Sequence, residues 1–125
     1  MKTVIPLLIL ALCLCSMNST AQAILKFDKL SHHFGKFPEK VLQTHKFVFT
    51  NNGNEPLVIQ QVISTCGCTA SDYTKTPIKP GKQGEIIVSY NGKGMPAGYF
   101  KKSIIVRSNA NNQMVRLHIE GVITK

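Results

Sequence analysis

From Leu25 onward the chain alternates apolar and polar residues with a period of two, and clusters of Gly, Pro and Asn interrupt the alternation. A period of two is the mark of a strand, whose successive side chains point to opposite faces. No stretch keeps a helical apolar period for the roughly twelve residues a helix needs, so the pattern predicts an all-β chain. A first extended piece covers Leu25 to Phe34 with a break near Asp28, and Gly35 to Glu39 follows as a turn containing Pro38. In Val41 to Thr50, His45, Phe47 and Phe49 share one face and Thr44, Lys46, Val48 and Thr50 the other. Asn51-Asn52-Gly53-Asn54 then reverses the chain, because Asn and Gly tolerate the backbone angles of tight turns.

Pro56 to Ser64 is apolar on both sides, with Leu57, Ile59 and Ile63 on one face and Val58 and Val62 on the other, which predicts a central strand. Thr65 to Tyr73 has no clear periodicity, Pro77 to Gly84 reads as a turn region, Glu85 to Tyr90 as a short strand, and Asn91 to Gly98 as a glycine-rich loop. The last third predicts a hairpin closed over Asn109-Ala110-Asn111-Asn112. Placing Ser108 opposite Gln113 pairs Val106 with Val115, Ile104 with Leu117 and Lys102 with Ile119 on the core side. The outer side then pairs Arg107 with Met114, Ile105 with Arg116, Ser103 with His118 and Lys101 with Glu120. A one-residue slip would bury Arg116 and His118, so the apolar pattern specifies this register. The last of these pairs is expected to contribute only a few tenths of a kcal/mol, ~0.3, as an exposed ion pair.

The N-terminus has a different character. Lys2, the apolar run Val4 to Cys15 and the small-x-small triplet Ala21-Gln22-Ala23 have the layout of a secretory leader, giving a leader over residues 1–23 and a single domain over 24–125. The apolar run is too short to span a bilayer, and no later stretch supplies an integral membrane span. Cys13 and Cys15 are each preceded by leucine rather than a small residue, which places a lipid-anchored form second to a secreted or periplasmic one. About a hundred residues suffice for one two-layer core. Short strands separated by turns at intervals of about ten residues predict an antiparallel immunoglobulin-like β-sandwich of about seven strands.

The formal charge is +9, with Lys2 the one charged residue of the leader. This basic balance favours anionic partners, although lysines spread along an exported domain also serve solubility. Export and the lack of a helix-borne arginine stripe argue against nucleic acid. On the outer face of the hairpin, Lys101, Arg107, Arg116 and His118 form the candidate binding surface.

Cys66 and Cys68 are the two cysteines of the domain. In an extended segment their Cα atoms would lie about 6–7 Å apart, at the long end for a disulfide, and Gly67 permits the tighter turn that closes the ring. Three readings stay open: a structural pair, a redox disulfide, or two ligands of a soft metal. None of His32, His33, His45 and His118 has metal-ligand spacing to the pair, so no metal site or other cofactor is assigned. Asp28, Glu39, Glu55, Asp72, Glu85 and Glu120 are scattered, and nucleophile elbows, phosphate-binding loops and zinc-protease motifs are missing. No catalytic residue is assigned.

The chain resembles the bacterial domain-of-unknown-function family 1573, with immunoglobulin-like, Hydin-type members. The resemblance rests on Phe27 to Gly35, Phe47-Val48-Phe49-Thr50-Asn51-Asn52-Gly53, Ser64-Thr65-Cys66-Gly67-Cys68-Thr69, Ile78-Lys79-Pro80-Gly81, Gly98-Tyr99-Phe100, Ser108-Asn109 and Ile119-Glu120-Gly121. It implies a fold and an exported setting, and no reaction. The function expected is an exported non-catalytic binding or structural module contacting another envelope protein or an anionic surface component. The alternative is a small thiol-disulfide or soft-metal handling protein using Cys66 and Cys68.

Overall fold

A computed structural model describes residues 21–125, so the expected leader, apart from its last three residues, lies outside the described residues. Eight strands follow in order: β1 (Leu25–Phe27), β2 (Ser31–Pro38), β3 (Gln43–Asn51), β4 (Ile59–Ser64), β5 (Thr69–Tyr73), β6 (Gln83–Tyr90), β7 (Gly98–Ser108) and β8 (Met114–Thr124). They form two four-stranded sheets, β1-β3-β6-β5 and β2-β8-β7-β4. No helix of the described residues is long and apolar enough to cross a membrane.

Between the sheets lie Phe47, Phe49, Ile86, Val88 and Tyr90 from one and Ile104, Val106, Leu117, Ile119 and Ile123 from the other, joined by Leu57, Ile59 and Ile78. Each such aliphatic or aromatic side chain contributes about 1.5–3 kcal/mol through removal from water. The β7–β8 hairpin adopts the expected register, from Arg107↔Met114 through Ile104↔Leu117 to Lys101↔Glu120. Its loop also ties the ends of the sandwich together: Asn109 Oδ1 accepts from Val58 N at 2.8 Å, and Asn112 Oδ1 accepts from Leu25 N at 3.1 Å.

Five features depart from the expectation. The stretch Gly35 to Glu39, read as a turn, continues β2 as far as Pro38, at a sheet edge where proline is tolerated. The first extended piece is two strands, because the chain leaves the β3 edge after Phe27 and crosses to the opposite sheet, giving eight strands rather than about seven. There β2 runs parallel to β8, so the sandwich is not wholly antiparallel. The segment read as a central strand is instead the edge strand β4. It is apolar on both sides because a bulge at Gln60 (Ile59↔Ser108, then Gln61↔Arg107) exchanges its faces: Ile59 and Val62 point inward and Ile63 outward. Finally, the region without periodicity contains a tight turn at Cys66–Cys68 followed by β5.

Candidate functional site

Strand alternation on β7 and β8 sends Lys101, Arg107, Arg116 and His118 to the outer face of the β2-β8-β7-β4 sheet, bringing the four expected surface residues together. The register builds this face in rows. Gln61, Arg107 and Met114 form one; Ile63, Ile105 and Arg116 the next; Ser103, His118 and Ser31 a third. Lys101, Glu120 and His33 follow, and then Tyr99, Val122 and Lys36. Neighbours within a row lie about 4.5–5.5 Å apart at Cβ, close enough to act on one ligand. Lys36, Lys101, Arg107 and Arg116 thus share a face with one carboxylate, Glu120. Met114, Tyr99 and Ile63 add exposed apolar surface, being 57%, 62% and 37% accessible.

Glu120 lies opposite Lys101 in register, but the expected ion pair is not formed within 4 Å among the described residues. The Tyr99 hydroxyl donates to Glu120 Oε2 at 2.8 Å instead, and this bond raises the tyrosine pKa above its ordinary value. Lys101 is therefore left without that partner on the surface.

The opposite sheet presents a different exterior. Its rows are Thr44, Ser89 and Ala70; Lys46, Ile87 and Asp72; Val48 and Glu85; and Lys26 with Thr50 and Gln83. Lys26, Lys46 and Lys75 meet Asp72 and Glu85 there, Lys75 pairing with Asp72 at 3.3 Å, and half-buried Val48 and Ile87 lie among Thr, Ser, Ala and Gln side chains. The two exteriors differ in charge: one carries four cations and one carboxylate around exposed apolar side chains, the other three cations and two carboxylates.

Lys36, Tyr99 and Ile63 belong to the basic face and were not anticipated there. Lys36 arrives through a second bulge, where His33↔Glu120 is followed by Lys36↔Val122, so β2 carries one extra residue. Gly35 makes it possible with φ 77°, a conformation that L side chains rarely adopt, and His33 Nδ1 accepts from Gly35 N at 2.8 Å. The signal available in the sequence was Gly35 itself, whose positive φ suits a bulge as well as the turn expected there.

Cys66 and Cys68 form a disulfide with Cα atoms 5.2 Å apart, closer than an extended segment allows. It lies where the chain passes from β4 in one sheet to β5 in the other, and both cysteines are half-buried. The turn is fixed on several sides. Thr69 N donates to Cys66 O at 3.1 Å, Asn91 N donates to Cys68 O at 2.9 Å, and Ser64 Oγ donates to Thr69 O at 3.2 Å. Bonded to each other, the sulfurs are not thiolates and do not act as metal ligands in this form. No group of three or more His, Cys, Asp or Glu that could hold a metal occurs among the described residues.

The histidines separate as alternation requires. His33 and His118 lie on the outer face, whereas His32 turns inward and stacks on His45 across the gap between the sheets, with ring centroids 3.7 Å apart and planes 7° from parallel. Phe34 meets His32 edge-on and Phe47 meets His45 likewise. Burial lowers both imidazole pKa values; Lys29 acts on each in the same direction, His33 on His32, and His32 on His45.

Among solved structures, a protein of unknown function from Porphyromonas gingivalis W83 is similar at 16% identity and a TM-score of 0.74, over 86% of this chain and 50% of that one. This chain therefore spans half the length of that protein. The ASH / PapD-like domain 7 of human CEP192 is similar at 9% identity and a TM-score of 0.69, over 87% of this chain and 91% of that domain. The secreted serine protease VesC of Vibrio cholerae is similar at 16% identity and a TM-score of 0.58, over 80% of this chain and 23% of that one. At these identities the likenesses show the fold, an immunoglobulin-like, PapD-like sandwich. No curated protein matches. The family described as "Protein of unknown function (DUF1573)" matches residues 25–123, nearly the whole sandwich, and the chain belongs to that family.

Proposed function

We propose that this domain is an exported, non-catalytic binding module that docks an acidic partner, another envelope protein or an anionic envelope component, on the outer face of the β2-β8-β7-β4 sheet. The observation that carries this reading is the charge asymmetry of the two exteriors. Lys36, Lys101, Arg107 and Arg116 lie among exposed Met114, Ile63 and Tyr99 on one face with Glu120 the carboxylate beside them, whereas on the other Asp72 and Glu85 offset most of the charge of Lys26, Lys46 and Lys75. Cations alone would serve solubility, but cations around apolar side chains combine steering of an acidic partner with surface that gains from leaving water. The leader-like N-terminus and the disulfide support an oxidising, exported setting.

The reading is tested by placing a photo-crosslinking residue at Ile105, on the basic face, or at Ile87, on the opposite face, in the protein produced by its own host. Adducts are expected from position 105 and to disappear with Arg107→Glu/Arg116→Glu. Adducts from position 87 alone, or adducts indifferent to the charge reversal, would refute it.

A thiol-disulfide role is the second reading, favoured by the disulfide of half-buried Cys66 and Cys68 at the sheet crossover. The hydrogen bonds that fix both sides of the turn favour a structural clip instead. Thiol titration with and without reductant separates the two: a redox pair must open in the native protein under mild reductant.

A further inference from the structure

The residues just ahead of β1 are part of the fold. Gln22 N donates to Asn54 Oδ1 at 2.9 Å, and Asn54 N returns a bond to Gln22 O at 2.9 Å. Ala23 O accepts from Asn111 N at 2.8 Å, Ile24 N donates to Asn51 Oδ1 at 3.3 Å, and Ile24 O accepts from Asn52 N at 2.9 Å. The Ala23 side chain is 2% accessible and belongs to the core cluster. Gly53 records the same packing from the other side. A Cβ there would lie 2.9 Å from Ala23 C and 2.8 Å from Ile24 N, so the turn can hold no larger residue while this segment is in place. Ala21, by contrast, is exposed.

These contacts conflict with processing after Ala23. Hydrolysis at that bond would remove a buried methyl group, the Asn111–Ala23 bond and both Asn54–Gln22 bonds, and would leave Gly53 facing an empty groove. We infer that the leader is removed at the Ala21–Gln22 bond, where a leader peptidase adds water across the peptide, leaving a carboxylate on Ala21 and a free amine on Gln22. Ser19-Thr20-Ala21 supplies the small-x-small pattern such a peptidase reads. The new amine falls on the atom that already donates to Asn54 Oδ1, and an ammonium is the stronger donor. The processed N-terminus is then a structural element, held by the Asn51–Asn54 turn and the β7–β8 loop.

This inference rests on the export reading, and one measurement tests them separately. The full chain is produced in an exporting bacterium, and the N-terminal peptide and intact mass of the exported protein are determined. A start at Gln22, free or cyclised, is expected. In the exported fraction, a start at Ile24, at a lipid-modified Cys13 or Cys15, or at any other position including Met1 overturns the cleavage site and leaves export standing; recovery of the chain in the cytoplasmic fraction alone overturns export itself. As an independent check on the packing, chains begun at Gln22 and at Ile24 are compared in denaturant. The shorter chain is expected to unfold at a lower midpoint, and equal midpoints would remove the structural basis of the inference.

Discussion

Asn51 offers the sharpest test of how the loops are held, because its side chain is fully buried yet uses both ends. Nδ2 donates to Glu55 O at 2.7 Å and to Ile78 O at 2.9 Å, while Oδ1 accepts from Gly53 N at 3.0 Å and Ile24 N at 3.3 Å. One residue thereby joins the N-terminal segment, the turn after β3 and the turn before β6. Asn51→Asp keeps the shape and the acceptor but replaces the NH2 group by oxygen, setting it against two carbonyl oxygens. Each lost bond costs about 1 kcal/mol; Ile78 O keeps its bond from Leu57 N at 2.9 Å, so Glu55 O is the carbonyl that loses its donor, at about 1–3 kcal/mol more. A loss of about 3–5 kcal/mol near neutral pH is expected, a large part of the 5–15 kcal/mol typical of a domain. The sign of the pH dependence follows. Burial beside two carbonyls raises the folded-state pKa of the new carboxyl, so the penalty is greatest above that pKa. It shrinks as pH falls, since the protonated acid can donate to one carbonyl. Urea midpoints of both proteins between about pH 7 and pH 4, from the ordinary carboxyl pKa of about 3.9 upward, measure it. A loss under about 1 kcal/mol at pH 7, or a gap that does not narrow on acidification, would refute this account of the turn.

The hairpin register predicts that Leu117→Ala costs about 2–5 kcal/mol through lost burial and a residual cavity, whereas Arg116→Ala costs under about 1 kcal/mol; denaturant midpoints in the reverse order would contradict it. Because His32 and His45 have lowered folded-state pKa values, the unfolded chain takes up their protons first. The stability they lend is therefore complete above the ordinary value of 6.5 and is lost as pH falls through the folded values. Melting temperature should fall below pH 6.5 in the natural protein more than in His32→Phe/His45→Phe, and parallel pH profiles would show that the stack is not responsible. Tyr90 stacks on Phe100 at 4.0 Å, and its buried hydroxyl has no hydrogen-bond partner among the described residues. Tyr90→Phe should leave stability unchanged or raise it by up to about 1 kcal/mol, and a clear loss in calorimetry would reveal a partner for the hydroxyl. Cys66→Ser/Cys68→Ser should remain folded, since a three-residue loop gains only about 1.5 kcal/mol from closure; loss of the folded CD signal at room temperature would make the clip indispensable.

The core was readable because burial imposes alternation on each strand separately: Phe47, Phe49, Ile104, Val106, Leu117 and Ile119 declare their inward face without reference to any neighbour. The hairpin was readable for a further reason, since two strands joined by a short loop have few ways to pair. Neither argument extends to β1 and β2. Alternation from Leu25 to Phe34 is the same whether the piece stays in one sheet or crosses between two, and the parallel pairing of β2 depends on β8, some eighty residues later. Nor could the apolar count of β4 separate a central strand from an edge strand whose faces exchange at a bulge. The candidate surface divides along the same line. Lys101, Arg107, Arg116 and His118 followed from the hairpin register, whereas Lys36 and Ile63 depend on pairings between distant segments.

Those two hidden bulges are also what complete the basic face. Without the extra residue beside Gly35, β2 would continue its alternation past His33 with Phe34 and Lys36 one register out of step, and Lys36 would not stand beside Val122 and Tyr99. Without Gln60, Ile63 would share the inward face of Ile59 and leave the row of Ile105 and Arg116 short of its apolar neighbour. Both bulges lie on the edge strands of the same sheet, where an irregular ladder also discourages pairing with another sheet. The β2-β8-β7-β4 sheet thus blunts both of its edges with the same residues that widen its charged exterior.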